Sequence, residues 1–353
     1  MIKIIFKEYR RNLIQNTLGI IFFIIGSLIL NRNEGRLFKF NSSLNEAYND
    51  AITIKLDNSG YFRERSPDYE NKLVHFTGEI KVQEALGETS YNILVQAVKL
   101  RKIVEIYQWQ EEYTENKFEM TDESFSRNYY YYQEWSEKLI DSRSFHSLSH
   151  QNPTKKPMES KITVAEKVYI GDFEISDEAK YMFNTWVDIT SDTRPDDYFI
   201  KMHSNAYYHT EDLFNLQTGD MRVRFQFAGL EGDVYTIVGR FEKGRINPFI
   251  NKRGRKILLL SKGALSKEEI FHLEHSAIKK DIWFTRLFSF ILIMFAVSTT
   301  ESLTRFLFDR TSLTFLIVNS QNQFYSYFKI SLIYCIIIYI LRHSLHYVGI
   351  LEQ

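Results

Sequence analysis

The chain has 353 residues, and its 44 basic residues balance 44 acidic ones. A net charge of zero gives no long-range attraction to a phosphate backbone, and no Lys/Arg stripe with interleaved aromatic residues occurs, which argues against nucleic-acid binding. The single cysteine, Cys335, excludes an internal disulfide and a paired-cysteine zinc site. Apolar residues concentrate at the two ends, whereas residues 31–281 are polar and long enough for one large or two small domains.

Residues 13–30 are predicted to form an uncleaved transmembrane helix. Four basic residues precede the apolar run, which ends without a small-residue cleavage site. As a helix the run is roughly 27 Å long, close to the thickness of the hydrocarbon core of a bilayer. The basic cluster predicts that residues 1–12 are cytoplasmic and that residues 31–282 form a domain on the opposite side.

Three capped helices are predicted. Ser43 with Glu46, and Ser266 with Glu269, have the spacing of a capping box, and Ser176 is followed by two acidic residues. The helices after Ser43 and Ser176 each precede a group of strands, which suggests a duplicated α+β unit. The helix after Ser266 runs toward the second apolar region.

Several segments of the domain alternate apolar and polar residues, as half-buried antiparallel strands do. The clearest are residues 72–82 and 219–229. Residues 220–241 are predicted to form a hairpin, because the turn sequence GLEGD separates two such segments. Further strands are predicted at residues 93–109 and 126–135, with an acidic loop at 110–124 that is interpreted as solvated rather than as a cation or partner site.

Candidate catalytic and metal-binding residues are few. The sequence contains no phosphate-binding glycine loop, no nucleophile elbow and no zinc-protease motif. His272 and His275 share a helical face with Glu268, but no fourth ligand can be named. His146 and His150 are four residues apart, but the Asn-Pro turn that follows would break a helix holding them. Both pairs are therefore interpreted as lacking a metal. Core or cross-strand packing, rather than a ligand cage, is predicted for the aromatic residues Tyr107, Trp109 and Trp135.

Two more transmembrane helices are predicted near the C-terminus, at residues 283–308 and 324–341. Glu301 and Arg305 are four residues apart in the first of them, so an ion pair would relieve part of the roughly 2.5 to 3.5 kcal/mol that each charge costs at a helix centre. A pair at the membrane edge is favoured over a buried contact with a partner helix. Residues 309–323 are too short to cross and are predicted to be interfacial or re-entrant, and residues 342–353 form a tail.

Several stretches, taken in order, resemble the LUMA family, also called the transmembrane protein 43 family. They include NEGR after the first span, EIYQWQEEYTE, HQNP and GDMRVRFQFAGLEGD. The positions shared with the family, whose role is not assigned, are Asn33, Glu34, Gly35, Arg36, Tyr107, Gln108, Trp109, Trp135, His150, Asn152, Pro153, Gly219, Asp220 and Gly229.

The resemblance implies an N-terminal span, a large non-cytoplasmic domain and a C-terminal cluster of spans, in proteins of the endoplasmic reticulum and inner nuclear membrane that self-associate and organise other membrane proteins. It implies no enzyme activity and no cofactor. The sequence departs from the family at its C-terminus, where RHSLHYVGILEQ replaces a fourth span. Its abundance of Ile, Lys, Asn, Tyr and Phe is also compatible with a bacterial inner-membrane protein that has a periplasmic domain.

The predicted class is therefore α+β, with a β-rich extramembrane domain between an N-terminal transmembrane helix and a C-terminal helical membrane region. The favoured function is a non-enzymatic membrane scaffold, with the lipid bilayer, a second copy of the chain and other membrane proteins as partners. The alternative is a membrane-anchored hydrolase or ligand sensor. A cleft converging on His150, His209 or Asp220 would favour the alternative, and a flat, self-complementary sheet edge would favour the scaffold.

Overall fold

The computed structural model describes residues 13–54, 69–116, 126–251, 254–301 and 323–347. These residues belong to two compact units, each with its own packing. The membrane unit draws on Met1–Asn49, Asn251–Arg255 and Glu268–Gln353. The β-rich domain draws on Asp50–Ile250 and Lys256–Lys267.

Three long helices form most of the described part of the membrane unit. They are α1 (Leu13–Asp50), α3 (Lys267–Thr299) and α4 (Gln323–Tyr347). Each is long and apolar enough to cross a bilayer, as the sequence predicted for this part of the chain. Arg305 and almost all of the predicted interfacial segment 309–323 lie outside the described residues.

Helix α1 is longer than predicted, because it continues without a break past the apolar run to Asp50. The prediction of a separate helix starting at Ser43 is wrong. Ser43 is buried inside α1, where the backbone N–H groups already have helical partners and a capping box has nothing to cap. Ser176 does cap a helix, the short α2 (Asp177–Tyr181), and its Oγ accepts a hydrogen bond from the Ala179 N–H at 3.4 Å. The duplicated α+β unit was suggested by helices at Ser43 and Ser176. These belong to the long α1 and the short α2, which differ in length and lie in different units.

Helices α1 and α3 approach closely where α1 carries glycine. A Cβ atom at Gly26 would lie 3.0 Å from the Ile293 side chain and 3.3 Å from the Ser289 carbonyl oxygen. Small residues let helix backbones pack tightly in a bilayer, where no hydrophobic effect drives helices together. The glycine therefore fixes where α1 meets α3.

The first sheet of the domain contains seven described strands, and five of them close into a ring. Hydrogen-bonded pairs run from β2 to β8, β9, β15 and β14 and back to β2, with β1 and β18 added outside the ring. Their bounds are β1 (Ile52–Thr53), β2 (Leu73–Val82), β8 (Val168–Ile170), β9 (Phe173–Ile175), β14 (Val234–Glu242), β15 (Arg245–Asn247) and β18 (Leu259–Lys262). A closed ring leaves few open sheet edges.

The second sheet also has seven described strands, ordered β11-β12-β13-β5-β6, with β10 beside β13 and β7 beside β5. Their bounds are β5 (Ala97–Asn116), β6 (Ser126–Ser136), β7 (Lys161–Val164), β10 (Val187–Ile189), β11 (Ile200–His203), β12 (Ala206–His209) and β13 (Met221–Leu230). Two small ribbons complete the described strands, β3 (Leu86–Glu88) with β4 (Ile93–Val95), and β16 (Phe249–Ile250) with β17 (Lys256–Ile257).

The two sheets share one hydrophobic core. Phe76 and Ile237 from the first sheet and Val104, Val223 and Phe225 from the second are among its buried members. The alternation is confirmed for β13 and for the second half of β2, where nearly all of the predicted inward residues are buried. In the first half of β2, Leu73 and His75 on the other face are buried as well. A shared core of this size is the main stabilising feature of the domain.

The predicted hairpin at residues 220–241 is wrong. Strand β13 pairs with β5, β10 and β12, whereas β14 pairs with β2, β15 and β18, so the GLEGD turn carries the chain from one sheet to the other. Both strands turn their apolar faces toward the shared core from opposite sides, which a hairpin within one sheet could not achieve.

The predicted acidic loop at residues 110–124 is wrong in its first half. Residues 110–116 continue β5 and pair with residues 126–132 of β6, for example Glu112 opposite Tyr130. Beyond Trp109 these two strands form a two-stranded extension of the sheet. We call residues 107–116 and 126–136 the β5–β6 ribbon.

Candidate functional site

The family-shared positions come together in two places, one in each unit. The first is in the membrane unit, where Glu34 of α1 is almost fully buried and meets Arg286 of α3. Both carboxylate oxygens accept hydrogen bonds from the guanidinium group, at 2.7 Å each. A paired, bidentate geometry is what allows two charges to leave water, because an isolated buried charge is very costly.

Aromatic rings surround this ion pair. The Arg286 guanidinium lies 5.1 Å from the ring centre of Trp283 and 5.5 Å from that of Tyr339 on α4. The side-chain amide of Asn33 donates a hydrogen bond to the Ile282 carbonyl oxygen at 3.1 Å. We call Asn33, Glu34, Ile282 and Arg286 the membrane joint, because these residues fix the register between α1 and α3.

The other two residues of the NEGR sequence lie beside the membrane joint. Arg36 forms an exposed ion pair with Asp281 at 2.5 Å. Gly35 is buried, and a Cβ atom there would overlap the Arg342 guanidinium of α4. All four residues therefore face the neighbouring helices. The predicted Glu301/Arg305 pair is not described, since Arg305 lies outside the described residues.

The second place is in the domain, at the base of the β5–β6 ribbon. The Trp109 backbone N–H donates to Asn152 Oδ1 at 2.7 Å, and Asn152 Nδ2 donates to the carbonyl oxygens of Trp109 and Ile140, at 2.9 Å and 3.3 Å. Gln108 Nε2 donates to the Lys138 carbonyl oxygen at 2.7 Å, and the Ile140 N–H donates to Gln108 Oε1 at 3.0 Å. The Asn152 side chain thus takes the place of a neighbouring strand. We call Gln108, Trp109, Ile140 and Asn152 the ribbon joint.

The start of β13 attaches to the same part of β5. The Tyr107 N–H donates to the Asp220 carbonyl oxygen at 2.8 Å, and the Gly219 N–H donates to the Tyr107 carbonyl oxygen at 2.9 Å. The Asp220 carboxylate accepts hydrogen bonds from the Thr210 hydroxyl and the Gln217 N–H, at 2.7 Å and 2.8 Å. The Asp220 carboxylate therefore stabilises the turn that precedes β13. Pro153 packs beside Gly219 of the same turn.

Two histidines stack on tyrosines of the ribbon. His150 lies parallel to Tyr131 at 4.1 Å between ring centres, and His146 lies parallel to Tyr129 at 4.3 Å. Burial and the hydrogen bond to Glu111 raise the pKa of Tyr131. His146 and His150, which are four residues apart outside any strand, thus stack on two tyrosines that are two residues apart on β6. No group of three or more His, Cys, Asp or Glu side chains in the described residues could hold a metal.

Trp135, opposite Tyr107 in the ribbon, packs over a charged cluster on the second sheet. The Arg222 guanidinium lies 4.9 Å from its ring centre. The mostly buried Glu105 accepts hydrogen bonds from Arg222 at 2.8 Å and Arg224 at 3.1 Å. Burial raises the pKa of Glu105, but the two arginines outweigh it, so the pKa lies below its ordinary value. The cluster links β5 to β13.

Gly229 lies apart from both joints, at the end of β13. Its φ of +73° is in the left-handed region, and a Cβ atom would lie 2.7 Å from both Phe183 and Val98. Only glycine fits this position without strain. It lies one residue before the end of β13, where Leu230 still pairs with Ala97.

The three residues named for a hydrolase or sensor site have separate partners. His150 contacts Tyr131, and Asp220 contacts Thr210. His209 Nε2 lies 2.8 Å from the Tyr91 hydroxyl in the core. Burial raises the pKa of Tyr91 to about 12 and lowers that of His209, so both side chains are neutral near pH 7.

In α3, Glu268 accepts a hydrogen bond from Tyr48, and His272 is exposed while His275 is partly buried.

Sequence reasoning missed the pairing of Glu34 with Arg286. The available signal was their placement, since Glu34 follows the first predicted span and Arg286 lies near the start of the second, so the predicted topology puts both on the same side of the membrane. It also missed Ile140 and Glu105 as partners of the shared positions, and no local pattern marks either of them.

Comparisons with known proteins agree on one family. A sequence model described as Transmembrane protein 43 matches residues 106–346. The Transmembrane protein 43 homolog of Drosophila melanogaster is 40% identical over 299 residues, which are 84% of this chain and 78% of the fly protein. Human Transmembrane protein 43 is 31% identical over 278 residues, which are 75% of this chain and 68% of the human protein. The mouse protein is 30% identical over the same length. No solved structure matches.

Proposed function

Since the chain belongs to the transmembrane protein 43 family, we propose that it is a non-enzymatic multi-pass membrane scaffold that forms homo-oligomers and organises other membrane proteins. Relatives in fly and human favour a eukaryotic membrane, and we propose the endoplasmic reticulum or the inner nuclear membrane. The three apolar helices support the membrane assignment.

The exposed face of the β5–β6 ribbon is the observation that carries the proposal. Tyr130 and Tyr132 lie on this face, with 54% and 38% of their surface exposed. The outer edge of β6 pairs with no other described strand. Tyrosine is enriched at the centre of protein interfaces, and an open sheet edge offers a row of backbone hydrogen-bonding groups. The ribbon is therefore suited to bind another protein.

The ribbon is also held in place, which lowers the entropic cost of binding. The ribbon joint fixes its base, and the stacks of His146 on Tyr129 and His150 on Tyr131 cover its other face. The shared side chains of Gln108 and Asn152 bond to backbone groups, an arrangement that supports a structural role over a catalytic one.

The proposal is tested by replacing Tyr130 and Tyr132 with serine in the full-length protein. The matched control replaces Tyr181 and Tyr198, which are 63% and 85% exposed and lie outside the ribbon. Native mass spectrometry in detergent and crosslinking in nanodiscs report the oligomeric state. Loss of two central tyrosines is expected to weaken assembly by about tenfold or more, since such residues contribute more than about 1 kcal/mol each.

Three results would contradict it: a wild-type protein that is monomeric in both environments, a ribbon variant that assembles like wild type, or a control variant that loses assembly to the same extent. Circular dichroism confirms that each variant is folded before its assembly is compared.

A further inference from the structure

A groove of about 770 Å³ lies within the membrane unit, between α3 and α4, with Leu30 and Glu34 of α1 also lining it. Its lining changes in character along α3. Lys279 and Lys280 come first, Trp283 and Arg286 follow, and Phe290 lies further along the helix. The groove is thus basic at one end, aromatic next and apolar beyond.

Among the described residues, no ion pair balances the positive charge at the basic end. Arg286 is neutralised by Glu34, and Asp281 pairs with Arg36. Lys279 and Lys280 are exposed, and neither forms an ion pair with any residue in the described ranges. Two ammonium groups next to an apolar groove are complementary to a ligand that has an anionic head and an apolar body.

The length of the groove matches one leaflet of a bilayer. Ten residues separate Lys280 from Phe290, which is about 15 Å along a helix, and a hydrocarbon core is about 30 Å thick. From α4, Leu332 and Ile336 line the apolar part, and Tyr339 lies near Arg286. Trp283 and Tyr339 are residue types that favour the level of the lipid headgroups. The basic end therefore lies at the membrane surface.

We propose that this groove binds one anionic phospholipid from the leaflet on the side of the β-rich domain. The phosphate and any headgroup carboxylate contact the ammonium groups of Lys279 and Lys280. One acyl chain lies along Phe290, Leu332 and Ile336. Free inorganic phosphate lacks the apolar part, and a neutral phospholipid does not balance the two lysines, so neither is complementary to the whole groove.

The test measures phosphatidylserine bound to the full-length protein by native mass spectrometry, with phosphatidylcholine and inorganic phosphate as separate arms. Replacing Lys279 and Lys280 with glutamine is expected to weaken phosphatidylserine binding about 25-fold, since each basic residue at an anionic surface contributes a factor of about five. The control is Arg32→Gln with Lys39→Gln, which removes two exposed charges of α1 that do not line the groove.

A second variant tests the apolar part independently of charge. Ile336→Trp fills the groove and is expected to reduce phosphatidylserine binding at least tenfold, whereas Ile340→Trp, on an exposed position of α4 outside the lining, leaves it unchanged. Equal binding of phosphatidylcholine, full competition by inorganic phosphate, or equal losses in variants and controls would each overturn the proposal. Loss confined to Lys279, Lys280 and Ile336 variants would support it.

Discussion

The membrane joint and the ribbon joint both hold two distant parts of the chain together, but they do so with different chemistry. The membrane joint depends on one ion pair and one amide–carbonyl bond among apolar and aromatic neighbours. The ribbon joint depends on several neutral hydrogen bonds to backbone groups. Because the membrane joint has so few interactions, the loss of one partner of its ion pair leaves an unpaired charge next to apolar side chains. The ribbon joint can lose one bond and keep the others.

The largest expected effect follows from removing one charge of the membrane joint. Glu34→Leu leaves the partly buried Arg286 without an anion and is expected to destabilise the membrane unit by about 3 to 5 kcal/mol. The double variant Glu34→Leu with Arg286→Leu is expected to be milder, since no charge remains unpaired. Unfolding of the full-length protein in mixed micelles, followed by tryptophan fluorescence, measures the difference.

The control for this comparison is the exposed pair beside it. Arg36→Leu breaks the contact with Asp281. Because the Arg36 and Asp281 side chains are 54% and 63% exposed, the change is expected to lower the free energy of unfolding by no more than about 1 kcal/mol. Equal losses for Glu34→Leu and Arg36→Leu would contradict the distinction between a buried and an exposed ion pair.

An intermediate effect is expected at the ribbon joint. Asn152→Ala removes three hydrogen bonds to Trp109 and Ile140 and leaves backbone groups without partners, at a cost of about 1 to 3 kcal/mol. Hydrogen exchange of the full-length protein should become faster around residues 107–112 and 140. Gln151→Ala is the matched control, because that exposed side chain donates only to the Leu148 carbonyl oxygen. Unchanged exchange at Trp109 would show that Asn152 does not hold the strand.

A smaller effect is expected at the Glu105 cluster, where the two arginine side chains are partly exposed. Glu105→Gln is expected to cost about 1 kcal/mol at pH 7, since Arg222 and Arg224 remain partly hydrated. The pKa of Glu105 is lowered from 4.5, so the carboxylate stabilises the domain above that pH, and this contribution is lost as the pH falls through the lowered pKa. Thermal melting from pH 7 down to pH 3 should show wild type and Glu105→Gln converging, and a constant difference between them would refute the assignment.

The elements that sequence predicted correctly are those whose pattern is local. The alternation in β2 and β13 shows which side of each strand is buried, and the apolar runs locate the three long helices. The family resemblance also named residues that meet in space, such as Trp109 and Asn152. A period of two or of 3.6 residues is visible in any short window.

The elements that sequence missed depend on distant partners. Glu34 and Arg286 are separated by 252 residues in the chain. The side-chain amide of Asn152 bonds to the Trp109 backbone in place of a neighbouring strand, and the alternation of apolar and polar residues does not indicate such a partner. The GLEGD turn has the composition of a hairpin turn, and only the pairing of β14 with β2 shows that it changes sheets. The prediction of a separate helix at Ser43 failed for a similar reason, because packing against α3 stabilises α1 across a local start signal.

The closed ring of the first sheet sets an order of events during synthesis. Strand β2, at residues 73–82, needs β14 at residues 234–242 on one side and β8 at residues 168–170 on the other. Pairings between such distant segments form slowly, since the intervening chain must first be ordered. On the ribosome, β2 must wait for most of the domain to emerge before its ring can close, so the nascent chain exposes an apolar strand edge for many seconds. A chain interrupted before β14 would retain the first membrane helix but could not complete its first sheet.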